Sequence, residues 1–137
     1  MDAHIELTLP ARTDLFYLVR LHLGAVASRI DMTLEDAEDL HLAAEELCMS
    51  LLSLSRSVPD RLAVEIAWDT ATIEIRCRLI GDKDDGASSG LWANEGFPEL
   101  LSKRILDALV DEHGVTMDGD QPTTWLRKRR ERPLPST

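Results

Sequence analysis

The stretch RLAVEIAWDTATIEIRCRLI, residues 61–80, decides the fold. In both of its halves apolar side chains alternate with polar ones, at Leu62, Val64, Ile66 and Trp68 and then at Ile73, Ile75, Cys77 and Leu79. A period of two predicts β-strands that bury one face. The link DTA, residues 69–71, is short enough to join these two strands as a hairpin.

Helical spacing flanks the hairpin on both sides. Ahead of it, apolar residues recur every three or four positions over residues 13–30 and again over residues 33–54, which predicts two helices. Behind it, Pro98 suits the first turn of a third helix, which we expect to reach about His113. The inward positions of that helix are predicted to be Leu101, Ile105 and Leu109.

Further strands are predicted outside these elements. IELTLP alternates apolar and polar residues over 5–10, and GVTMDGDQPTTWLR, residues 114–127, predicts two short strands around a turn. The order β-α-α-β-β-α-β-β favours an α+β, two-layer sandwich in which three helices cover one face of a mixed sheet. We expect residues 1–130 to form a single domain and 131–137, the end of the charged run KRRERPLPST, to be a disordered tail.

Composition limits the function classes. The 137 residues carry a formal net charge of −10, which disfavours nucleic acid and anionic membranes and favours a partner with basic patches. No apolar run is long enough to span a bilayer and no basic-then-apolar leader opens the chain, so we expect a cytoplasmic protein. Cys48 and Cys77 lie in apolar elements and are expected to be reduced core thiols, and neither they nor the scattered histidines predict a metal site.

The second helix carries two adjacent acids in different surroundings. Its core stripe is predicted to consist of Leu40, Ala44, Leu47, Leu51 and Leu54. Glu45 falls opposite that stripe, in water, whereas Glu46 lies on the flank with Ser50 one turn further on. This spacing suits an acid and its partner at the edge of a pocket, and the alternative is a boundary glutamate that reaches solvent.

The first helix has apolar residues on two faces. One face is predicted to enter the core and holds Phe16, Val19, Leu23, Val26 and Ile30. The opposite side holds Leu15, Leu18, Leu21 and Ala25. A second apolar face must be covered by a loop, by another copy of the chain or by a partner.

The segment EDLHLAAEELCMSLL, residues 38–52, resembles a helix of the anti-sigma-factor serine kinases, which belong to the histidine-kinase-like ATPase superfamily. The resemblance extends to residues 5–27 and resumes at 105–115 and 123–129. It implies a Bergerat-type fold with the element order given above. It also implies that the first helix dimerises and contacts partners, with Arg20 matching an arginine that touches both the sigma factor and its antagonist.

The same resemblance assigns nucleotide-site positions. Glu46 matches the general base, and Ser50 stands where an asparagine holds Mg²⁺, for which a hydroxyl is the weaker oxygen ligand. Leu79 stands where an aspartate accepts a hydrogen bond from adenine, a bond that leucine cannot make, and only Gly81 matches a family glycine. At residues 100–103, LLSK replaces the family's phosphate-binding glycines.

The resemblance and these departures together predict a cytoplasmic, homodimeric anti-sigma factor of the partner-switching type. It would sequester an alternative sigma factor through Arg20, Leu15, Leu18 and Leu21 and be released by a STAS-domain anti-anti-sigma antagonist. We expect a pseudo-kinase without cofactor or metal. One alternative is an active ATP-dependent serine kinase that uses ATP, Mg²⁺ and Glu46 as base, and another is a small-molecule sensor with a remodelled pocket.

Overall fold

The structure is a computed structural model that describes residues 3–54, 61–81, 96–118 and 121–131. Apart from a 3₁₀ turn at Thr13–Leu15, the helices and strands in these ranges are β1 (Ala3–Pro10), α1 (Tyr17–Arg29), α2 (Leu34–Leu54), β2 (Arg61–Trp68), β3 (Thr72–Ile80), α3 (Gly96–Leu109), β4 (Glu112–Asp118) and β5 (Gln121–Arg129). In this part of the chain, no helix is both long enough and apolar enough to cross a membrane.

The five strands form one sheet in the order β1-β2-β3-β5-β4, and every pairing is antiparallel. The prediction of a mixed sheet is therefore wrong. Two helices connect β1 to β2 and bring the chain back antiparallel. β3 and β4 run parallel to each other, because each is antiparallel to β5, which lies between them, so they are not neighbours.

The core lies between the helices and one face of the sheet. The hairpin alternation is confirmed, since Leu62, Val64, Ile66, Ile73, Ile75 and Cys77 are each at most 1% exposed. The predicted inward face of α1 is confirmed as well, and the α2 stripe is buried at Leu40, Ala44, Leu47 and Leu51. α2 lies in the middle of the helical layer, where it contacts α1, α3 and the sheet.

α3 departs from its prediction in length and in orientation. It ends at Leu109 rather than near His113, because Nζ of Lys128 donates a hydrogen bond to the Leu109 carbonyl at 2.8 Å and β4 begins at Glu112. Leu106 is the buried residue, 5% exposed, whereas Ile105 and Leu109 are half-buried. The side chain of Leu101 lies outside the described part.

Lys128 joins β5 to the helical layer from inside the fold. Its side chain is almost fully buried, and Nζ lies 3.6 Å from a carboxylate oxygen of Asp36 and 3.8 Å from one of Asp39. Glu131, the first residue of the predicted tail, donates its backbone N–H to Oδ2 of Asp36 at 2.8 Å. Residues 55–60, 82–95 and 132–137 lie outside the described residues.

The face of the sheet opposite the helices carries ion pairs across strands. Oε1 of Glu74 accepts a hydrogen bond from Arg127 at 2.7 Å, and Oε2 accepts one from Arg76 at 2.8 Å. Burial of the Glu74 carboxylate opposes its ionisation, but the hydrogen bonds from Arg127 and Arg76 outweigh burial and hold its pKa below the ordinary value. The folded state thus favours ionised Glu74.

Replacing Glu74 by glutamine is expected to flatten the acid side of the stability profile. A carboxylate with a lowered folded-state pKa stabilises the fold above its unfolded pKa and loses that contribution as the pH falls through the folded value. Urea unfolding between about pH 6 and pH 3 measures the slope. Glu65→Gln, on the same face of β2, is the matched control, and equal slopes in the two variants would contradict the expectation.

Candidate functional site

The register of α2 against the sheet places the candidate residues at one end of the domain. Near the start of α2, Asp36 meets Lys128, which lies opposite Ile73 of β3. Further along, Sγ of Cys48 lies 3.9 Å from Sγ of Cys77. α2 and β3 therefore run in the same direction, and Ser50 and Leu79 each follow this cysteine contact by two residues.

Glu46 and Ser50 are brought together as their spacing predicts. Oγ of Ser50 donates a hydrogen bond to Oε2 of Glu46 at 3.1 Å, and both side chains are half-buried. Glu45, the next acid, is exposed. The arrangement gives a carboxylate on the flank of α2 with a hydroxyl hydrogen bond that keeps it oriented.

Glu46 lines an open groove between α2 and α3 of about 440 Å³. Apart from Glu45 and Glu46, the described lining is apolar and consists of Leu42, Met49, Ile105 and Leu109. This surface was not predicted from the sequence. The spacing of Leu42 and Met49 could have indicated it, because they lie two turns apart on the outward side of α2, where they are 56% and 44% exposed.

Leu79 and Gly81 lie at the end of β3. Leu79 pairs with Leu62 of β2 and packs, half-buried, against the core. Gly81 is exposed just beyond the strand. The residues that follow Gly81, and the side chains of residues 100–102 in the segment LLSK, lie outside the described part.

The predicted partner surface on α1 is partly outward-facing. Arg20 is exposed, and Tyr17 and Leu21, one turn apart on the same helix, are 49% and 61% exposed. Leu18 is half-buried. Leu15 packs against the core, so it exposes less of its side chain to a partner than predicted from its helical position. Tyr17 was not predicted as part of this surface, because the prediction rested on aliphatic residues alone.

A small cavity of about 20 Å³ lies between the first turns of α1 and the middle of α2. Its lining includes Arg20, His41 and Cys48. Nε2 of His41 is buried, with no hydrogen-bond partner in the described ranges, and points toward Gly24. Burial, and then the positive charge of Arg20, lower the pKa of His41, which favours a neutral imidazole at pH 7.

No group of three or more histidine, cysteine, aspartate or glutamate side chains in the described residues is arranged to hold a metal ion. The cysteines are both free and buried. The chemistry that the described site offers is therefore that of one oriented carboxylate beside an apolar groove.

Comparison with known proteins gives consistent matches. No family model matches the chain. It is 32% identical over 107 residues to the serine-protein kinase RsbW of Bacillus pumilus, covering 78% of this chain and 66% of that protein. It is 29% identical over 121 residues to the anti-sigma-F factor RsbW of Mycobacterium tuberculosis, covering 86% of this chain and 64% of that protein.

A serine-protein kinase RsbW of Bacillus licheniformis is 24% identical over 143 residues, covering 93% of this chain and 88% of that protein. The match to the first two relatives spans just under two thirds of their length. The same family name recurs across Bacillus and Mycobacterium, over most of this chain each time. The chain therefore belongs to the RsbW-like family.

Proposed function

We propose that this protein is an anti-sigma factor that sequesters an alternative sigma factor and is released by a STAS-domain anti-anti-sigma antagonist. The relatives' names, serine-protein kinase and anti-sigma-F factor, support this class of role. We further propose a Bergerat-type ATPase fold, which the antiparallel sheet with helices on one face supports, and a homodimer.

The observation that carries the proposal is the exposed surface of α1 around Arg20. Tyr17 and Leu21 lie one turn apart on α1, near Arg20, and are 49% and 61% exposed. Tyrosine and arginine are both enriched among the residues that contribute most to binding at protein interfaces. The formal net charge of −10 favours a partner that carries basic patches.

Release without phosphoryl transfer is proposed from the groove. The Ser50 hydroxyl is directed to the Glu46 carboxylate at 3.1 Å, and Mg²⁺ needs several well-placed oxygen ligands rather than one hydroxyl. Leu79 presents an apolar side chain at the position of the adenine acceptor. Positioning of metal, base and phosphate together is what phosphoryl transfer requires.

Two other functions are supported by specific observations. Glu46 lines an open groove, which favours an active serine kinase that uses this carboxylate as its base. The described lining is otherwise mostly apolar, which favours a sensor for a small ligand with an apolar body. Both uses depend on the groove, whereas sequestration depends on α1.

Nucleotide binding and transfer separate these functions. We expect ATP with Mg²⁺ to leave the melting temperature unchanged, although a ligand at 100 times its Kd would stabilise the fold by about 2.7 kcal/mol. We also expect no label on the STAS-domain antagonist after incubation with labelled ATP. Glu46→Gln is then expected to leave sequestration and release unchanged.

Glu38→Gln is the matched control, since it removes the same charge from an exposed position on α2 outside the lining of the groove. A labelled antagonist whose label disappears with Glu46→Gln but persists with Glu38→Gln would establish the kinase instead. Stabilisation by a small ligand that is not a nucleotide would favour the sensor.

A further inference from the structure

Two cysteines on different elements face each other inside the core. Sγ of Cys48, on α2, lies 3.9 Å from Sγ of Cys77, on β3, and the two residues are 1% and 0% exposed. A disulfide places its sulfurs about 2.05 Å apart. Closure therefore requires an approach of about 2 Å, within the reach of small side-chain rotations and a slight shift of α2.

One of the two cysteines also lines the cavity between α1 and α2. Cys48 is part of its lining, together with the exposed residues Tyr17, Arg20 and Glu45. The volume of about 20 Å³ accommodates a molecule of roughly the size of water. The cavity thus brings a small polar molecule up to the residue Cys48, whereas Cys77 is 0% exposed.

We propose that Cys48 and Cys77 form a peroxide-oxidisable pair that closes an intramolecular disulfide between α2 and β3. The proposal concerns this modification alone and stands whether or not the protein is an anti-sigma factor. It assigns Cys48 as the thiol that meets the oxidant and Cys77 as the thiol that resolves the product.

The chemistry takes two steps with hydrogen peroxide as oxidant. The Cys48 sulfur attacks one peroxide oxygen, the O–O bond breaks, and the other oxygen leaves as water with the thiol proton, giving a sulfenic acid. The Cys77 sulfur then attacks the Cys48 sulfur, the S–O bond breaks, and the hydroxyl leaves as water with the Cys77 proton. The sulfurs together lose two electrons to the peroxide.

The order of the two steps follows from the surroundings of each sulfur. The hydrogen bond with Cys48, and then burial, raise the pKa of Cys77 well above its ordinary value, so Cys77 is a poor first nucleophile. Cys48 is the cysteine that lines the cavity. Once Cys48 is oxidised, Cys77 is already in van der Waals contact with it, and no other thiol is available in this chain.

Hydrogen peroxide and thiol labelling test the pair directly. The reduced protein is exposed to peroxide, denatured, labelled with N-ethylmaleimide and weighed by intact-mass spectrometry. We expect both labels to be lost together, a mass lower by two hydrogens, a monomeric species, and full recovery of both labels after dithiothreitol. Retention of both labels, or cross-links between chains, would overturn the proposal.

Single variants test the assignment of roles. Cys77→Ala is expected to stop at the sulfenic acid on Cys48, which dimedone traps, while Cys48→Ala is expected to keep Cys77 reduced over the same exposure. Equal oxidation of Cys77 with and without Cys48 would reverse the order proposed here. If either variant fails to fold, peptide mapping of the oxidised wild-type protein decides whether these two sulfurs are joined.

Discussion

Lys128→Ala is expected to lower the free energy of unfolding by about 3 kcal/mol. Nζ of Lys128 donates to the Leu109 carbonyl at 2.8 Å and lies within 4 Å of Asp36 and Asp39. Removing one partner of a buried ion pair costs about 3–5 kcal/mol, because the remaining charge is left uncompensated. The lower end applies here, since the Asp39 side chain is 33% exposed and remains partly hydrated.

Urea unfolding at neutral pH measures this loss as a lower midpoint with an unchanged slope. Arg129→Ala is the matched control, because it removes a positive charge from the next residue of β5, which is exposed. Surface changes of this kind shift stability by about 0.5 kcal/mol or less. Equal midpoints for the two variants would show that the contacts of Lys128 with the helices do not stabilise the fold.

Arg20→Glu is expected to weaken binding of the sigma factor by a factor of at least about 100, that is by roughly 2.8 kcal/mol or more. The change reverses the charge at a proposed contact, so a carboxylate would face the acidic group with which Arg20 is expected to pair. Like charges placed against each other at a contact cost several kcal/mol. Stability should change little, because Arg20 is exposed. Isothermal titration with the partner that co-purifies from the native cell gives the affinity.

Arg29→Glu is the control for charge alone, since Arg29 is exposed in the last turn of the same helix. A second readout needs no partner. Burial lowers the pKa of His41 most, and the positive charge of the nearby Arg20 lowers it further. Arg20→Glu should therefore raise the pKa of His41, which an NMR titration measures. An unchanged affinity together with a raised His41 pKa would remove Arg20 from the interface while confirming that the local charge had changed.

The strongly periodic elements could be predicted from the sequence because burial alone fixes them. In the β2–β3 hairpin and in α1, the large apolar side chains all lie on one face, and only that face can be buried in the core. The pair of Glu46 and Ser50 also followed from spacing, since residues four apart on a helix are neighbours.

What could not be predicted depends on contacts between distant parts of the chain. Lys128 lies in a charged run that favours a solvated tail, yet β5 continues through it and the alternation Thr124, Leu126, Lys128 turns it inward. The end of α3 was predicted too late for the same reason. The spacing of apolar residues within the helix carries no information about Lys128, which bonds to the Leu109 carbonyl from a distant strand. The antiparallel sheet required knowing that β5 inserts between β3 and β4.

That insertion also bears on how the protein is made. β5 is an interior strand of the sheet but comes after both of its neighbours in the chain. While the ribosome is still translating residues 121–129, β3 has an unpaired edge and β4 has no strand to join, so nascent chains expose backbone N–H and C=O groups that favour aggregation. The sheet is thus completed only after β5 has been synthesised, and ribosomal pausing just before this point would prolong the exposure of these backbone groups.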